Sequence, residues 1–234
     1  GTVEFIYDEV SGDFYFLEVN SRLQVEHPVT EEITGTDLVQ MQIESAQGSP
    51  LKISQESVKG NGYAIEVRLY AEDPVNDFLP VTGTIHKFMV PEVSGLRIET
   101  AIETGTDISI HYDPMIAKLI IWDHDRTNAH RKLKHVLKNL ICIGISTNQE
   151  FLLHLCDQTD FEIGKYNTHY IKDNLDLSTI SDKNESDLTK CVIAATLFDW
   201  KKRDTSRTLL SSIPTGWRNN YYIPQKESFT INQK

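Results

Sequence analysis

A chain of 234 residues with 39% hydrophobic content is long enough for one large or two small globular domains. It carries 23 basic against 34 acidic residues, net −11. This argues against nonspecific binding to nucleic acid or an anionic membrane, and leaves any anionic substrate to be held locally by a metal and a few arginines.

The chain opens inside a strand-like run without a Met, so it is expected to be a piece of a longer polypeptide. Val3 to Tyr7 and Phe14 to Glu18 are aromatic and branched, the composition of strands. Ser11-Gly12 between them signals a turn. A hairpin symmetric about Ser11 sets Glu4 opposite Glu18, with Asn20 on the same face. Like charges ~5 Å apart across a ladder repel, and a divalent cation removes the penalty. An oxygen-only set of Glu4, Glu18 and Asn20 points to Mg²⁺ or Mn²⁺ rather than zinc. If the segment stays extended, Arg22, Gln24 and Glu26 continue one polar row with Glu18 and Asn20, because alternate side chains share a face. A solvated edge hairpin is the ordinary alternative.

Thr36 is expected to cap a helix over Asp37 to Gln47, with Val39, Ile43 and Ala46 on its apolar face and Gly48 and Pro50 ending it. Residues 59–63 read as a loop. Ala64 to Tyr70 alternates, placing Glu66, Arg68 and Tyr70 opposite Ile65, Val67 and Leu69. Asp73 to Gly83 reads as irregular, Thr84 to Val90 and Leu96 to Thr100 as strands, and Met115 to Trp122 as a buried strand. Asp125 is expected to cap a helix whose basic residues Arg131, Lys132, Lys134 and Lys138 form a solvated face. Thr147 and Glu150 suggest a capping box for a helix through Leu155. Leu177 to Lys190 reads as a polar linker, Cys191 to Trp200 as a short helix, and Ser228 to Ile231 as a strand. Mixed order without strict alternation favours an α+β fold. No apolar run approaches the ~20 residues of a membrane span. Cys142, Cys156 and Cys191 lack paired spacing, so reduced thiols are expected.

The run from Glu18 to Glu31, Glu-Val-Asn-Ser-Arg-Leu-Gln-Val-Glu-His-Pro-Val-Thr-Glu, closely resembles the signature of biotin carboxylase, an ATP-grasp enzyme. The likeness continues through Ile33 to Val39, Glu66 to Pro74 and His111 to Leu119, and covers roughly residues 1 to 175. It implies three parts: residues 1–55 as the end of an ATP-grasp domain, 62–175 as a mainly antiparallel biotin carboxylase C-terminal domain, and 176–234 as a linker and the start of a subunit-assembly region. The wording His111-Tyr-Asp-Pro-Met-Ile-Ala-Lys118 looks more like acyl-CoA carboxylases, the methylcrotonyl-CoA type first and propionyl- or acetyl-CoA types next.

The resemblance implies roles. Glu4, Glu18 and Asn20 would hold Mg²⁺ or Mn²⁺ on ATP, and Ile6 would contact adenine. Arg22, Gln24 and the Val25 N–H would bind bicarbonate, which Glu26 would deprotonate. Arg68 would stabilise the enolate-like ureido oxygen of biotin; its ordinary alternative is an ion pair with Glu66 or Glu72. Asp113 either orients such an arginine or serves a turn. His27 and the other histidines show no metal spacing and read as structural or surface residues.

The 234 residues hold no phosphate-cradling Gly-rich loop, no lysine lid before Glu4, and no Ala-Met-Lys-Met for biotin attachment. The segment is therefore expected to be inactive alone. A biotin carboxyl carrier domain, a carboxyltransferase β subunit and a second copy of the module are the implied partners. The implied location is the mitochondrial matrix in a eukaryote or the cytoplasm in a bacterium. The competing readings are a non-catalytic dimerisation and subunit-docking unit and another ATP-grasp ligase.

Overall fold

Alternating burial along residues 63–70 sets the geometry of the first of two compact units, Gly1–Ile180; the second is Ser181–Lys234. The computed structural model describes residues 1–8, 10–181, 185–209, 212–213, 217 and 226–229. Strands β1 (Thr2–Tyr7) and β2 (Phe14–Asn20) form the opening hairpin, followed by helices α1 (His27–Thr34) and α2 (Leu38–Ala46). Then come β3 (Tyr63–Tyr70), the short pair β4 (Glu72–Asp73) and β5 (Leu79–Pro80), β6 (Gly83–Thr84), β7 (Lys87–Met89), β8 (Leu96–Thr100) and β9 (Asp107–Ile108). β10 (Met115–Asp123), α3 (Arg126–Asn139), β11 (Ile141–Ile143), α4 (Gln149–Cys156), α5 (Thr159–Ile163) and α6 (Tyr170–Asn174) complete the unit.

The central sheet runs β3-β10-β8, antiparallel throughout, with Leu119 between Val67 and Ile98. Ile65, Val67, Leu69, Ala117, Leu119 and Ile121 bury one face against Ala129, Leu133, Val136 and Leu137 of α3. The opposite face carries Glu66, Arg68, Lys118, Arg97 and Glu99, and α1 covers it. The fold is α+β, as expected.

Local chemistry explains where elements start and stop. Asp125 caps α3, accepting the Asn128 N–H at 2.8 Å. Asp125→Ala is expected to cost about 1 kcal/mol, read from the urea midpoint; an unchanged midpoint would contradict the cap. Asp37, not Thr36, caps α2, accepting the Gln40 N–H at 2.8 Å. The expected apolar face of α2 is exposed, Val39 at 40% and Ile43 at 55%. The Thr147/Glu150 capping box does not form. Asn148 sits at the α4 N-cap position without a side-chain cap bond, and its amide bonds the Tyr70 N–H and Arg68 carbonyl on the free edge of β3 instead.

The strand expected over Thr84 to Val90 is two short ones, β6 pairing β9 and β7 pairing β11. Gly144 follows β11 at φ +122°, where a Cβ would collide with the Thr84 carbonyl, so only glycine lets the two backbones meet there. Lys132 departs from the expected solvated face. It pairs with Asp123 at 2.8 Å and donates to the Ser94 carbonyl at 2.7 Å.

The expected linker and short helix become a 3₁₀ turn at Leu177–Ser181, which closes the first unit, and one helix, α7 (Glu185–Ser206), in the second. Arg203 pairs with Glu227 at 2.7 Å. Ser228 and Phe229 are not in a strand; Thr230 and Ile231 lie outside the described residues, as does most of the stretch 213–220. Among the described residues no helix is long and apolar enough to cross a membrane, and Cys142, Cys156 and Cys191 are free thiols.

Candidate active site

The hairpin pairs Glu4 directly with Glu18, and Thr2 with Asn20. Toward the turn the register shifts by one, Phe5 opposing Phe16, so symmetry about Ser11 holds only at the open end. The Asn20 amide nitrogen donates to Glu4 Oε1 at 2.7 Å and to Glu18 Oε1 at 3.3 Å. Gln24 Nε2 donates to the same Glu4 oxygen. Amide N–H donors thus offer partial positive charge to two opposed carboxylates. A cation at this point would draw the amide oxygen of Asn20 instead, giving an all-oxygen set.

Among the described residues no three Asp, Glu, His or Cys side chains are placed to hold a metal. Two carboxylates with an amide suit Mg²⁺ or Mn²⁺, which take one or two carboxylates and fill other positions with phosphate oxygen and water. Ile6 is 56% exposed on the hairpin rather than a core residue.

The extended row ends at Asn20, where β2 stops and the chain turns. Pro28 at the start of α1 draws the following residues into a helix. Arg22, Gln24 and Glu26 are therefore gathered by a turn rather than by strand alternation. All three line one open cleft of about 880 Å³ with Val3, Met41 and Leu51.

Glu26 Oε2 meets Arg68 Nη2 at 2.7 Å across 42 residues. The partner of Arg68 is thus Glu26, not Glu66 or Glu72. Burial pushes the Arg68 guanidinium pKa down, and Tyr70 and Glu26 outweigh it to give a net rise. Asp113 serves a turn, accepting the Met115 N–H at 2.9 Å.

Beneath α1 lies a charged layer that sequence reasoning did not assemble. Lys118, buried at 8% exposure, donates to the Val25 carbonyl at 2.9 Å. Arg97 pairs with Glu31 at 2.8 Å, with Glu32 at 3.3 Å and with Glu99. The available signal was a single lysine inside the apolar run 115–122, since a buried cation demands a partner.

Glu66 stands apart in this layer: both of its oxygens are buried and neither has a hydrogen-bond partner. Burial pushes its pKa above the ordinary 4.5, against the pull of Lys118 and Arg68. A carboxyl raised in the fold contributes stability fully below its unfolded pKa and loses it as pH rises through the folded one. Glu66→Gln is therefore expected to stabilise the chain by about 1 kcal/mol at neutral pH, by relieving a desolvated carboxylate. The gain should shrink on acidification toward the ordinary value of 4.5. Urea midpoints of the two proteins at both pH values provide the check, and a pH-independent gap would contradict the assignment.

Comparison with known proteins shows which family the chain resembles. Residues 66–173 match the biotin carboxylase C-terminal domain, and residues 1–54 match the ATP binding domain of the carbamoyl-phosphate synthase L chain. The α subunit of mitochondrial methylcrotonoyl-CoA carboxylase from Oryza sativa is 48% identical over 202 residues, 83% of this chain. Its counterpart from Dictyostelium discoideum is 38% identical over the whole chain. The chain spans only 27% and 34% of the length of these curated relatives.

The biotin carboxylase domain of Hydrogenobacter thermophilus 2-oxoglutarate carboxylase, solved as a dimer with MgADP, ADP and bicarbonate, superposes with a TM-score of 0.72. It is 42% identical and covers 78% of this chain and 40% of that one. By its residues 66–173 and by its likeness to these relatives and solved structures, this chain belongs to the biotin carboxylase family.

Proposed function

We propose that the chain supplies the metal, bicarbonate and biotin-facing residues of a site that carboxylates biotin with ATP and bicarbonate. The observation that carries this reading is the 2.7 Å contact between Glu26 and Arg68. It sets a candidate base and a candidate oxyanion stabiliser at one point, beside the cleft that Arg22 and Gln24 line.

Glu4, Glu18 and Asn20 would hold Mg²⁺ or Mn²⁺, which when bound neutralises charge on the ATP phosphates. Ile6 would lie against adenine. Arg22 presents a planar fork that matches bicarbonate, and Gln24 and the Val25 N–H complete the anion site. Glu26 takes the bicarbonate proton as its oxygen attacks the γ-phosphate, giving carboxyphosphate and ADP. Carboxyphosphate decomposes to CO₂ and phosphate, and phosphate takes the N1 proton of biotin. Arg68 stabilises the negative ureido oxygen that results, a fixed positive charge where negative charge develops.

In this reading residues 1–55 close an ATP-grasp domain, 62–175 form the carboxylase C-terminal domain and 176–234 lead into subunit assembly. The carboxyl acceptor is 3-methylcrotonyl-CoA, in keeping with the similarity to methylcrotonoyl-CoA carboxylase α subunits. The partners are a biotin carboxyl carrier domain, a carboxyltransferase β subunit and a second copy of the module. The location is the mitochondrial matrix in a eukaryote, as for the relatives named mitochondrial, or the cytoplasm in a bacterium.

The test is a chimera in which residues 1–173 replace the matching segment of the Hydrogenobacter domain. Bicarbonate- and biotin-dependent ADP release is expected from the folded chimera and not from the 234-residue chain alone. A folded chimera without that activity sinks the reading; activity of the 234 residues alone overturns the expectation that they need the rest of such a domain.

A further inference from the structure

The two carbonyls that flank Val25 are each held by a different side chain, and both holders trace back to one arginine. His27 Nδ1 lies 2.8 Å from the Gln24 carbonyl oxygen, which also receives the His27 N–H at 3.4 Å. Lys118 Nζ donates to the Val25 carbonyl at 2.9 Å. On the far side, His27 Nε2 faces Glu31 at 3.9 Å, while Lys118 pairs with Glu99 at 2.5 Å. Glu31 and Glu99 then meet on Arg97, which pairs with both. Glu31 is fixed further by the Leu38 N–H at 2.7 Å.

A trans peptide is planar, with its C=O and N–H pointing in opposite directions. Holding the Gln24 carbonyl toward α1 therefore turns the Val25 N–H away from α1. Holding the Val25 carbonyl as well fixes the next peptide plane. With both planes set, φ and ψ of Val25 have little freedom left, and Glu26 is placed at the end of the same constrained segment.

We propose that His27 and Lys118, joined through Glu31, Arg97 and Glu99, are positioning residues. They clamp the two peptides around Val25 and thereby orient the Val25 N–H within the anion site and Glu26 beside it. The proposal rests on the bicarbonate reading of that site, and assigns to His27 and Lys118 a role that neither fulfils by touching substrate. His27 reaches the Gln24 carbonyl through Nδ1–H and faces Glu31 with Nε2, a pairing that requires Nε2 to carry a proton as well.

The test separates the clamp from the bicarbonate reading. In the ¹⁵N-labelled chain, the Val25 amide is expected to show an order parameter near 0.85, about that of rigid backbone, and to fall below about 0.6 in His27→Gln and in Lys118→Met. His27→Asn, whose amide nitrogen overlays Nδ1, should retain rigidity where Gln loses it, an ordering that a general loss of packing does not produce. In the chimera, His27→Gln and Lys118→Met are expected to raise the bicarbonate KM about tenfold, the order expected for one mis-set hydrogen bond, with the ATP KM unchanged. An unchanged order parameter at Val25 in the folded variants overturns the clamp. Loosening of Val25 with an unchanged bicarbonate KM upholds the clamp and overturns the bicarbonate reading.

Discussion

Glu26→Gln, introduced into a carboxylase domain carrying this segment, is expected to lower kcat for bicarbonate-dependent ATP cleavage by roughly 10²–10⁴-fold, the usual contribution of a positioned general base. The amide keeps the size of the carboxylate and an oxygen for Arg68 Nη2, now 2.7 Å from Glu26 Oε2. The loss therefore falls on proton removal rather than on the shape of the cleft. Arg22, Gln24 and the Val25 N–H remain to bind the anion, so the bicarbonate KM should change little. Effects confined to kcat identify an interaction made in the transition state. Arg68→Met should behave differently. Bicarbonate-dependent ATP cleavage should persist while carboxylation of biotin fails, because the arginine acts on the ureido oxygen. Steady-state ADP release, with and without biotin, reads both variants. A Glu26→Gln domain with near-normal kcat removes Glu26 as the base.

These residues were legible to different degrees, for physical reasons. The Glu4–Glu18 pairing followed from a turn signal and from period-two alternation, both local properties of the chain. The break after Asn20 did not, because nothing in Ser21-Arg22-Leu23 is itself incompatible with a strand. What ends it is α1, and α1 leaves little hydrophobic pattern: it packs on a layer of ions, so residues such as Glu31 are buried where an amphipathic helix would bury leucine. The α4 cap failed to match its Thr147/Glu150 signature because Asn148 serves the edge of β3, a partner 78 residues away. The helix α7 was read short because its polar and apolar residues show no single stripe. Lys118 was visible only as an oddity in an apolar strand, since its partners are a backbone oxygen and a distant glutamate. The resemblance named Arg68 and Glu26, yet their contact depends on how α1 lies over β3, which residue spacing does not encode.

Arg97→Met is expected to destabilise the chain by about 2 kcal/mol at neutral pH, because it strands Glu31 beneath α1. Removing one member of a fully buried pair costs about 3–5 kcal/mol. Arg97 keeps 34% of its side chain in water, against 5% for Glu31, and that access screens part of the attraction. The loss reaches further than one pair, since Arg97 also binds Glu32 and Glu99. The pH dependence has a definite sign. Burial pushes the Glu99 pKa up, but hydrogen bonds from Lys118 and Arg97 outweigh it and hold the carboxyl below its ordinary 4.5. A carboxyl lowered in the fold contributes stability above its unfolded pKa and loses it as pH falls through the folded one. The Arg97→Met penalty should therefore be full at neutral pH and shrink on acidification below the ordinary carboxylate value. Urea unfolding of both proteins across that range gives the measurement, and a penalty that grows in acid would exclude Arg97 as the hub of these carboxylates. Because the same arginine ties His27 to Lys118, the variant should also loosen Val25, so stability and the geometry of the anion site ought to fall together in one substitution at position 97, distant in sequence from the signature between 18 and 31 but in contact with its last residue, Glu31.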